Sequence, residues 1–152
     1  MNTVPAVEVK QLWVGYPGCP PVLQGLDLRV EAGQHLGIIG PNGAGKTTLF
    51  LALAGLLPPC SGQITLFGQP LRPGQFRPEV GLVFQDPDDQ LFAASVAEDV
   101  AFGPRNLGRS EAEVAAVVQA TLEMTGTLHL ANCPPHHLSG GEKRMVAIAG
   151  IL

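Results

Sequence analysis

Apolar and polar residues alternate twice near the start of the chain. Val7, Val9, Leu12 and Val14 form the first series and Leu26, Leu28 and Val30 the second, each closed by turn residues. This period of two predicts two half-buried strands in an antiparallel layer. After Glu31–Gln34 the pattern changes to a short apolar run, His35–Gly40, a glycine-rich turn, and the apolar-rich run Lys46–Leu57. A strand, a loop and a helix in that order predict the start of a parallel core. The stretches QITLF (63–67) and EVGLVF (79–84) read as further strands between Gly and Pro turns. Beyond them the pattern is helical. Three helix starts carry Ser-x-x-Glu, at Ser95 with Glu98, Ser110 with Glu113 and Ser139 with Glu142, the spacing at which a serine cap and a glutamate satisfy each other's amides. The chain therefore reads as α/β, with an N-terminal antiparallel β layer, a parallel sheet core and a helical subdomain. One domain spans 1–152, its β layer and core covering about 5–92 and the helical part about 93–152.

Composition narrows the classes. With 152 residues, 45% of them hydrophobic, the chain suits one globular core, and its 19 Gly and 14 Pro are scattered at element boundaries. The net charge is −4, and the basic residues run from Lys10 to Arg144 without a cluster, so no nucleic-acid partner is implied. The longest apolar run, Leu49–Leu57, is far below the roughly 20 residues that span a bilayer. No basic region followed by an apolar stretch opens the chain, so a signal peptide is not expected. Cys19, Cys60 and Cys133 are odd in number and far apart, which makes reduced thiols the default in a cytosolic setting.

The glycine-rich turn carries the strongest chemistry. GPNGAGKT, Gly40–Thr47, fits G-x-x-x-x-G-K-[ST] between an expected strand and an expected helix, the context that this phosphate-binding motif requires. Gly40, Gly43 and Gly45 admit backbone conformations closed to other residues and turn successive amides inward, and the helix adds its positive end. Lys46 is the point charge for the terminal phosphates of ATP, and Thr47 offers a hydroxyl to Mg²⁺. Pro41, Asn42, Ala44 and Thr48 complete the candidate nucleotide-binding set.

A phosphate loop alone allows kinases, GTPases and transport ATPases. The heptad LSGGEKR, Leu138–Arg144, discriminates among them. Ser139 caps a helix, Gly140 and Gly141 permit close backbone approach, and the free amides with the helix dipole make a second anion site. With both motifs in one chain, the sequence resembles the ATP-binding cassette (ABC) ATPases, whose signature is LSGGQ or a close variant. Glu142 stands here in the final signature position. The resemblance implies that Ser139, Gly140, Gly141 and Glu142 face the γ-phosphate of ATP held by another subunit's phosphate loop. It also implies a homodimer or paired ATPase subunits related by a two-fold axis.

Two more segments carry the resemblance. Gln85, in VFQDPDDQLF, stands where these ATPases place a glutamine that contacts Mg²⁺ and the attacking water. Tyr16, the single tyrosine, stands where the family stacks an aromatic ring on adenine. The string FQDPDDQLF is closest in wording to the cobalt, nickel and energy-coupling-factor importers. That likeness implies transmembrane permease partners, a metal ion or vitamin as cargo, and a cytoplasmic position on the inner face of the membrane. A soluble ABC ATPase outside transport, or a non-enzymatic nucleotide-binding fragment, is the alternative.

Other residues are read as structural. Asp86, Asp88 and Asp89 form a solvated acidic loop, and Cys133, His136 and His137 a proline-rich one. Glu111, Glu113 and Glu123 lie on the solvent face of a helix whose apolar face is Val114, Val117, Val118 and Leu122. In the resembled family the signature helix leads to a strand with a Mg²⁺-binding aspartate and a water-polarising glutamate, then to a switch histidine. These 152 residues contain none of them, so the domain is expected to be incomplete at the C-terminus and, by itself, to bind ATP without hydrolysing it. Val146, Ile148, Ala149, Ile151 and Leu152 are then expected to form an exposed apolar patch.

Overall fold

The computed structural model describes residues 4–75 and 77–152, in two compact units, the first ending at Val80 and the second running Gly81–Leu152. In the first, the two alternating stretches form β1 (Val7–Val14) and β2 (Leu23–Val30), paired antiparallel as their patterns predict. β3 (Ser61–Leu66) pairs with the other edge of β1, and the short β4 (Gln69–Pro70) follows it, giving the order β2-β1-β3-β4.

The apolar series of β1 steps by three, not two, between Val9 and Leu12, and this step is a β-bulge. Gln11 sits there at φ 45°, and the register slips against both neighbours. The Gln11 amide donates to Asp27 Oδ1 at 2.8 Å and its side-chain Nε2 to Oδ2 at 2.5 Å, so one carboxylate on β2 holds the irregular residue. Opposite it, Gly62 has φ 89°, and a Cβ built there would overlap the Gln11 carbonyl. The bulge re-phases the strand so that Val9, Leu12 and Val14 all point into one core. With Ile64 and Leu66 of β3 they pack on Leu49 and Ala52 of α1 (Lys46–Leu53). α1 stops short of the expected Leu57 because Gly55 turns left-handed at φ 75°, and Leu56 N–H returns to Leu51 O at 2.9 Å.

The parallel core is not formed among the described residues. The runs 35–40 and 79–84 join no ladder, and QITLF falls in β3, antiparallel to β1. An apolar run specifies willingness to be a strand, but a strand exists only beside a partner that takes its amides and carbonyls. Among the described residues the one sheet is antiparallel throughout, with β1 between β2 and β3, and Leu36 and Ile39 remain exposed, Ile39 at 95%.

The second unit is helical, with α2 (Val96–Asn106), α3 (Glu111–Met124) and α4 (Gly140–Ala149). All three begin at the predicted serine caps. Ser110 and Ser139 close the capping box in both directions, while the Ser95 hydroxyl accepts from Glu98 N–H at 3.3 Å. Val96, Val100, Leu122, Leu130, Leu138, Val146 and Ala149 form the core of this unit. The expected exposed patch on α4 is therefore corrected. Val146 and Ala149, three residues apart and on one helix face, are buried, Ile148 is half-buried, and of the five expected residues Ile151 and Leu152 are exposed. Glu111 accepts both hydrogen bonds of an Arg105 guanidinium, at 3.0 and 2.9 Å, and Glu123 accepts from Gln119, so the solvent face of α3 is hydrogen-bonded as well as hydrated.

Candidate functional site

The phosphate loop lies in the first unit, between the run 35–40 and α1. Two of its three glycines use the freedom that the motif supplies. Gly43 has φ 81° and Gly45 φ 91°, both in the left-handed region that side chains resist. At Gly45 a Cβ would also come within 2.8 Å of Leu23 Cδ2 and 3.0 Å of Val22 Cγ1, so the loop is seated against the start of β2. Gly40 differs from expectation. It is not left-handed, a Cβ there would meet only Ala44 at an ordinary 3.5 Å, and its contribution is a carbonyl. Lys46 Nζ donates to that carbonyl at 2.8 Å and to Pro41 O at 2.7 Å. The ammonium thus lies over its own loop, with two of its three protons engaged.

α1 begins at Lys46 with Gly45 as its cap, without a side-chain cap and without an acid in its first turn. The amides of Lys46, Thr47 and Thr48 are among the first of the helix and have no acceptor within it, whereas Leu49 N–H already bonds Gly45 O at 2.9 Å. α2, α3 and α4 each place a glutamate and a serine at the same point. α1 alone of the four keeps its positive end open. Asn42, Gly43 and Ala44 are exposed, as is Thr47, while Thr48 is buried. The loop after β1 carries Tyr16 to this helix start, with its hydroxyl 3.5 Å from Thr48 Oγ1, at the limit of a hydrogen bond, and its ring half-exposed. Tyr16 and the phosphate loop are thus neighbours, though 24 residues separate Tyr16 from Gly40 in sequence.

A left-handed glycine cradle, open helix amides and one lysine are the donor set that a polyphosphate needs. The residues present therefore fit ATP. For Mg²⁺ the fitting group on this unit is the exposed Thr47 hydroxyl.

Gln85 and the signature belong to the second unit. Gln85 is exposed, at the entrance to a short 3₁₀ turn, Pro87–Asp89, whose cap is Asp86 accepting from Asp88 N–H at 3.0 Å. Gln90 ties the segment before Gln85 to the turn after it. Its Oε1 accepts from Phe84 N–H at 3.2 Å and its Nε2 donates to Leu82 O at 3.4 Å. Asp99 of α2 accepts the amides of Phe92 and Ala93 at 3.2 and 3.0 Å.

At the signature, the Glu142 carboxylate accepts from Ser139 N–H at 2.7 Å and from its hydroxyl at 2.6 Å, and these bonds hold Glu142 below the usual carboxylate range. Gly140 and Gly141 have open space where a Cβ would stand. The donor set that the sequence implies for an anion here is therefore reduced, because Ser139 N–H is committed to Glu142 and the amides of Gly140 and Gly141 remain. Glu142 acidity is strengthened by folding, so its contribution to the cap is full above the ordinary carboxylate range and fades as the pH falls through the lowered value. In an acid titration the amide signals of Gly140–Lys143 are expected to shift only below that range, and Glu142→Gln to abolish the transition. Unchanged titration in the variant would refute this assignment.

Sequence reasoning missed the bonds within the acidic loop. Asp88 lies 2.5 Å from Lys143 of α4, and Asp86 is a turn cap, although both were expected to be merely solvated. The cap was legible, since an Asp two residues before a backbone amide in a proline turn is a common Asx signal. The ion pair, 55 residues apart, had none.

Comparison with known proteins supplies the family. Residues 23–152 match the family model described as ABC transporter. An energy-coupling factor transporter ATP-binding protein, EcfA, of Methanothermobacter thermautotrophicus is 50% identical over 151 residues, covering 96% of this chain and 49% of the relative. A protein of the same name from Methanocaldococcus jannaschii is 49% identical over 151 residues, with coverage of 96% and 54%. Among solved structures, CbiO1 from Clostridium perfringens, described as part of the ABC transporter complex CbiONQ, superposes with a TM-score of 0.86 at 40% identity, over 97% of this chain and 61% of that one. The chain spans about half the length of the curated relatives it matches. With a phosphate loop, a serine-capped signature helix and a family match over most of its length, the chain belongs to the ABC transporter family.

Proposed function

We propose that this chain provides the ATP-binding part of an ABC importer of the energy-coupling-factor or cobalt type. The geometry of Gly43, Gly45 and Lys46 carries the reading. In it, Tyr16 stacks on the adenine and the amides of residues 42–48 receive the phosphates. Lys46 leaves its two loop carbonyls for the terminal phosphates, and Thr47 and Gln85 ligate Mg²⁺. The metal ion, when bound, neutralises charge on the β- and γ-phosphates. Ser139, Gly140, Gly141 and Glu142 close the nucleotide site of a second ATPase subunit, so the working form is a homodimer or a pair of related subunits.

The names of the relatives support the transport setting. EcfA proteins are named for energy-coupling factor transporters, and CbiO1 is part of a transporter complex. The complete protein then couples ATP hydrolysis to import of a metal ion or vitamin through transmembrane permease partners, from a peripheral position on the cytoplasmic face. No helix among the described residues is long and apolar enough to cross a membrane. The first test is titration of the chain with ATP in the presence of Mg²⁺. Saturable binding with slowed amide exchange at residues 40–48 is expected, and its absence at millimolar ATP overturns the reading. Transport is tested separately, by ATP-dependent uptake of cobalt, nickel or vitamins into vesicles holding the assembled complex.

A further inference from the structure

We infer that Val22 and Leu23, where the chain enters β2, are positioning residues for the phosphate loop, holding Gly45 in the left-handed conformation that joins the loop to α1. The inference rests on the proposed binding of ATP at this loop. Gly45 ends the loop and caps the helix, at φ 91° and ψ 10°. These two angles set how the amides of Lys46, Thr47 and Thr48 stand relative to those of Gly43 and Ala44. Glycine takes left-handed and right-handed backbone about equally readily, so Gly45 does not select this conformation unaided. The Leu49 N–H bond to Gly45 O, at 2.9 Å, holds its carbonyl, and the contact at its Cα comes from β2.

Leu23 Cδ2 lies 2.8 Å, and Val22 Cγ1 3.0 Å, from the place where a Gly45 Cβ would stand, with Leu23 Cγ at 3.6 Å. Two branched side chains fill that side of the glycine, and close packing leaves the flanking peptides little volume to swing into. Gly43 is a contrast within the same loop. It is left-handed too, at φ 81°, but has nothing within 4 Å of its Cβ position. Both bracing side chains are themselves fixed. Leu23 pairs with Val14 across the ladder and packs on the core that contains Leu49. Val22 N–H donates to Val14 O at 2.7 Å. Just before it, the connection from β1 is pinched shut, because a Cβ on Gly15 would come within 2.9 Å of Pro21 Cα, and the rings of Pro20 and Pro21 fix their own φ. Ordering of Gly45 is thereby completed during folding and does not oppose the binding of phosphate.

The test compares Leu23→Ala with Leu28→Ala. Leu28 is a partly buried leucine of the same strand on the same core, but stands five residues, about 17 Å, farther along it. Calorimetric titration with ATP and Mg²⁺ reads affinity, and backbone ¹⁵N relaxation of the nucleotide-free chain reads the order of the loop. Leu23→Ala is expected to weaken ATP by about tenfold, the effect of leaving one residue's backbone to be fixed on binding, and to lower the order of the Gly45 amide. Val22→Ala is expected to do the same on a smaller scale, about threefold. Leu28→Ala is expected to lower the unfolding midpoint comparably and to leave both affinity and the order of Gly45 as in the unaltered chain. Leu23→Met, which conserves volume, is expected to retain both. Should Leu23→Ala fail to fold, Val22→Ala carries the test, since Val22 is 39% exposed. Unchanged affinity or unchanged order at Gly45 in the alanine variants of Val22 and Leu23 overturns this inference and leaves nucleotide binding intact. So does an equal loss of affinity in Leu28→Ala or in Leu23→Met. An unaltered chain that does not bind ATP overturns the nucleotide reading itself, and this inference with it.

Discussion

Lys46→Ala is expected to weaken ATP binding by about 10–150-fold. Hydrogen bonds to a charged group contribute about 1.5–3 kcal/mol, and each 1.4 kcal/mol is about tenfold in a dissociation constant. The structure adds a second effect of smaller size. Lys46 Nζ bridges the carbonyls of Gly40 and Pro41, so the variant also loses the strap that draws the two ends of the loop together. Lys46→Arg separates the two. It keeps the positive charge but replaces a compact ammonium with a planar fork, which cannot take the place of that point charge at the terminal phosphates. Arginine is therefore expected to recover only part of the affinity. Calorimetric titration reads the effect, with the unfolding midpoint as control for loss of structure. An alanine variant that binds ATP as tightly as the parent would falsify the assignment of the loop.

Gly62→Ala is expected to destabilise the first unit by about 3 kcal/mol or more, although Gly62 takes no part in any binding motif. Two costs coincide there. The backbone is left-handed at φ 89°, where a Cβ strains the chain, and that Cβ would fall on the carbonyl of Gln11 in the bulge across the ladder. Overpacking against a side-chain tip can relax by a rotamer change, but a carbonyl in a strand flanked by β2 and β3 cannot move without disturbing both ladders. The expected relief is a shift of β3 that unseats Ile64 and Leu66 from the core. Urea denaturation measures the loss. Gly18→Ala provides the comparison, since Gly18 is also left-handed, at φ 77°, but has nothing within 4 Å of its Cβ. A Gly62 variant no less stable than Gly18→Ala would show that the close approach of the two backbones is unimportant.

These two positions mark what was legible in the sequence. Lys46, Gly43 and Gly45 were readable because motif spacing fixes local backbone geometry, and the serine caps of α2, α3 and α4 for the same reason. The strands β1 and β2 were readable from alternation, and even the bulge is written in the three-residue step from Val9 to Leu12. Gly62 was not readable as critical, because its demand comes from a carbonyl 51 positions earlier in the chain. The same holds for Asp88 and Lys143. Periodicity reports which face of an element is buried but not which element covers it, and this is why the runs 35–40 and 79–84 suggest strands of a parallel core that the described residues do not build. Burial of Val146 and Ala149 escaped for the converse reason: the neighbouring helices already cover them, and no following strand is needed.

The stretch from His35 to Ile39 has a practical corollary. It presents amides and carbonyls that no neighbour engages among the described residues, along with Leu36 and a nearly bare Ile39, and it carries no lysine, glutamate or proline to discourage a stranger. Such a margin is a template onto which an extended peptide of another molecule can zip. The chain is thus expected to self-associate through this hem of backbone in concentrated solution, and a single charged residue at position 39 is the smallest edit that would quiet it.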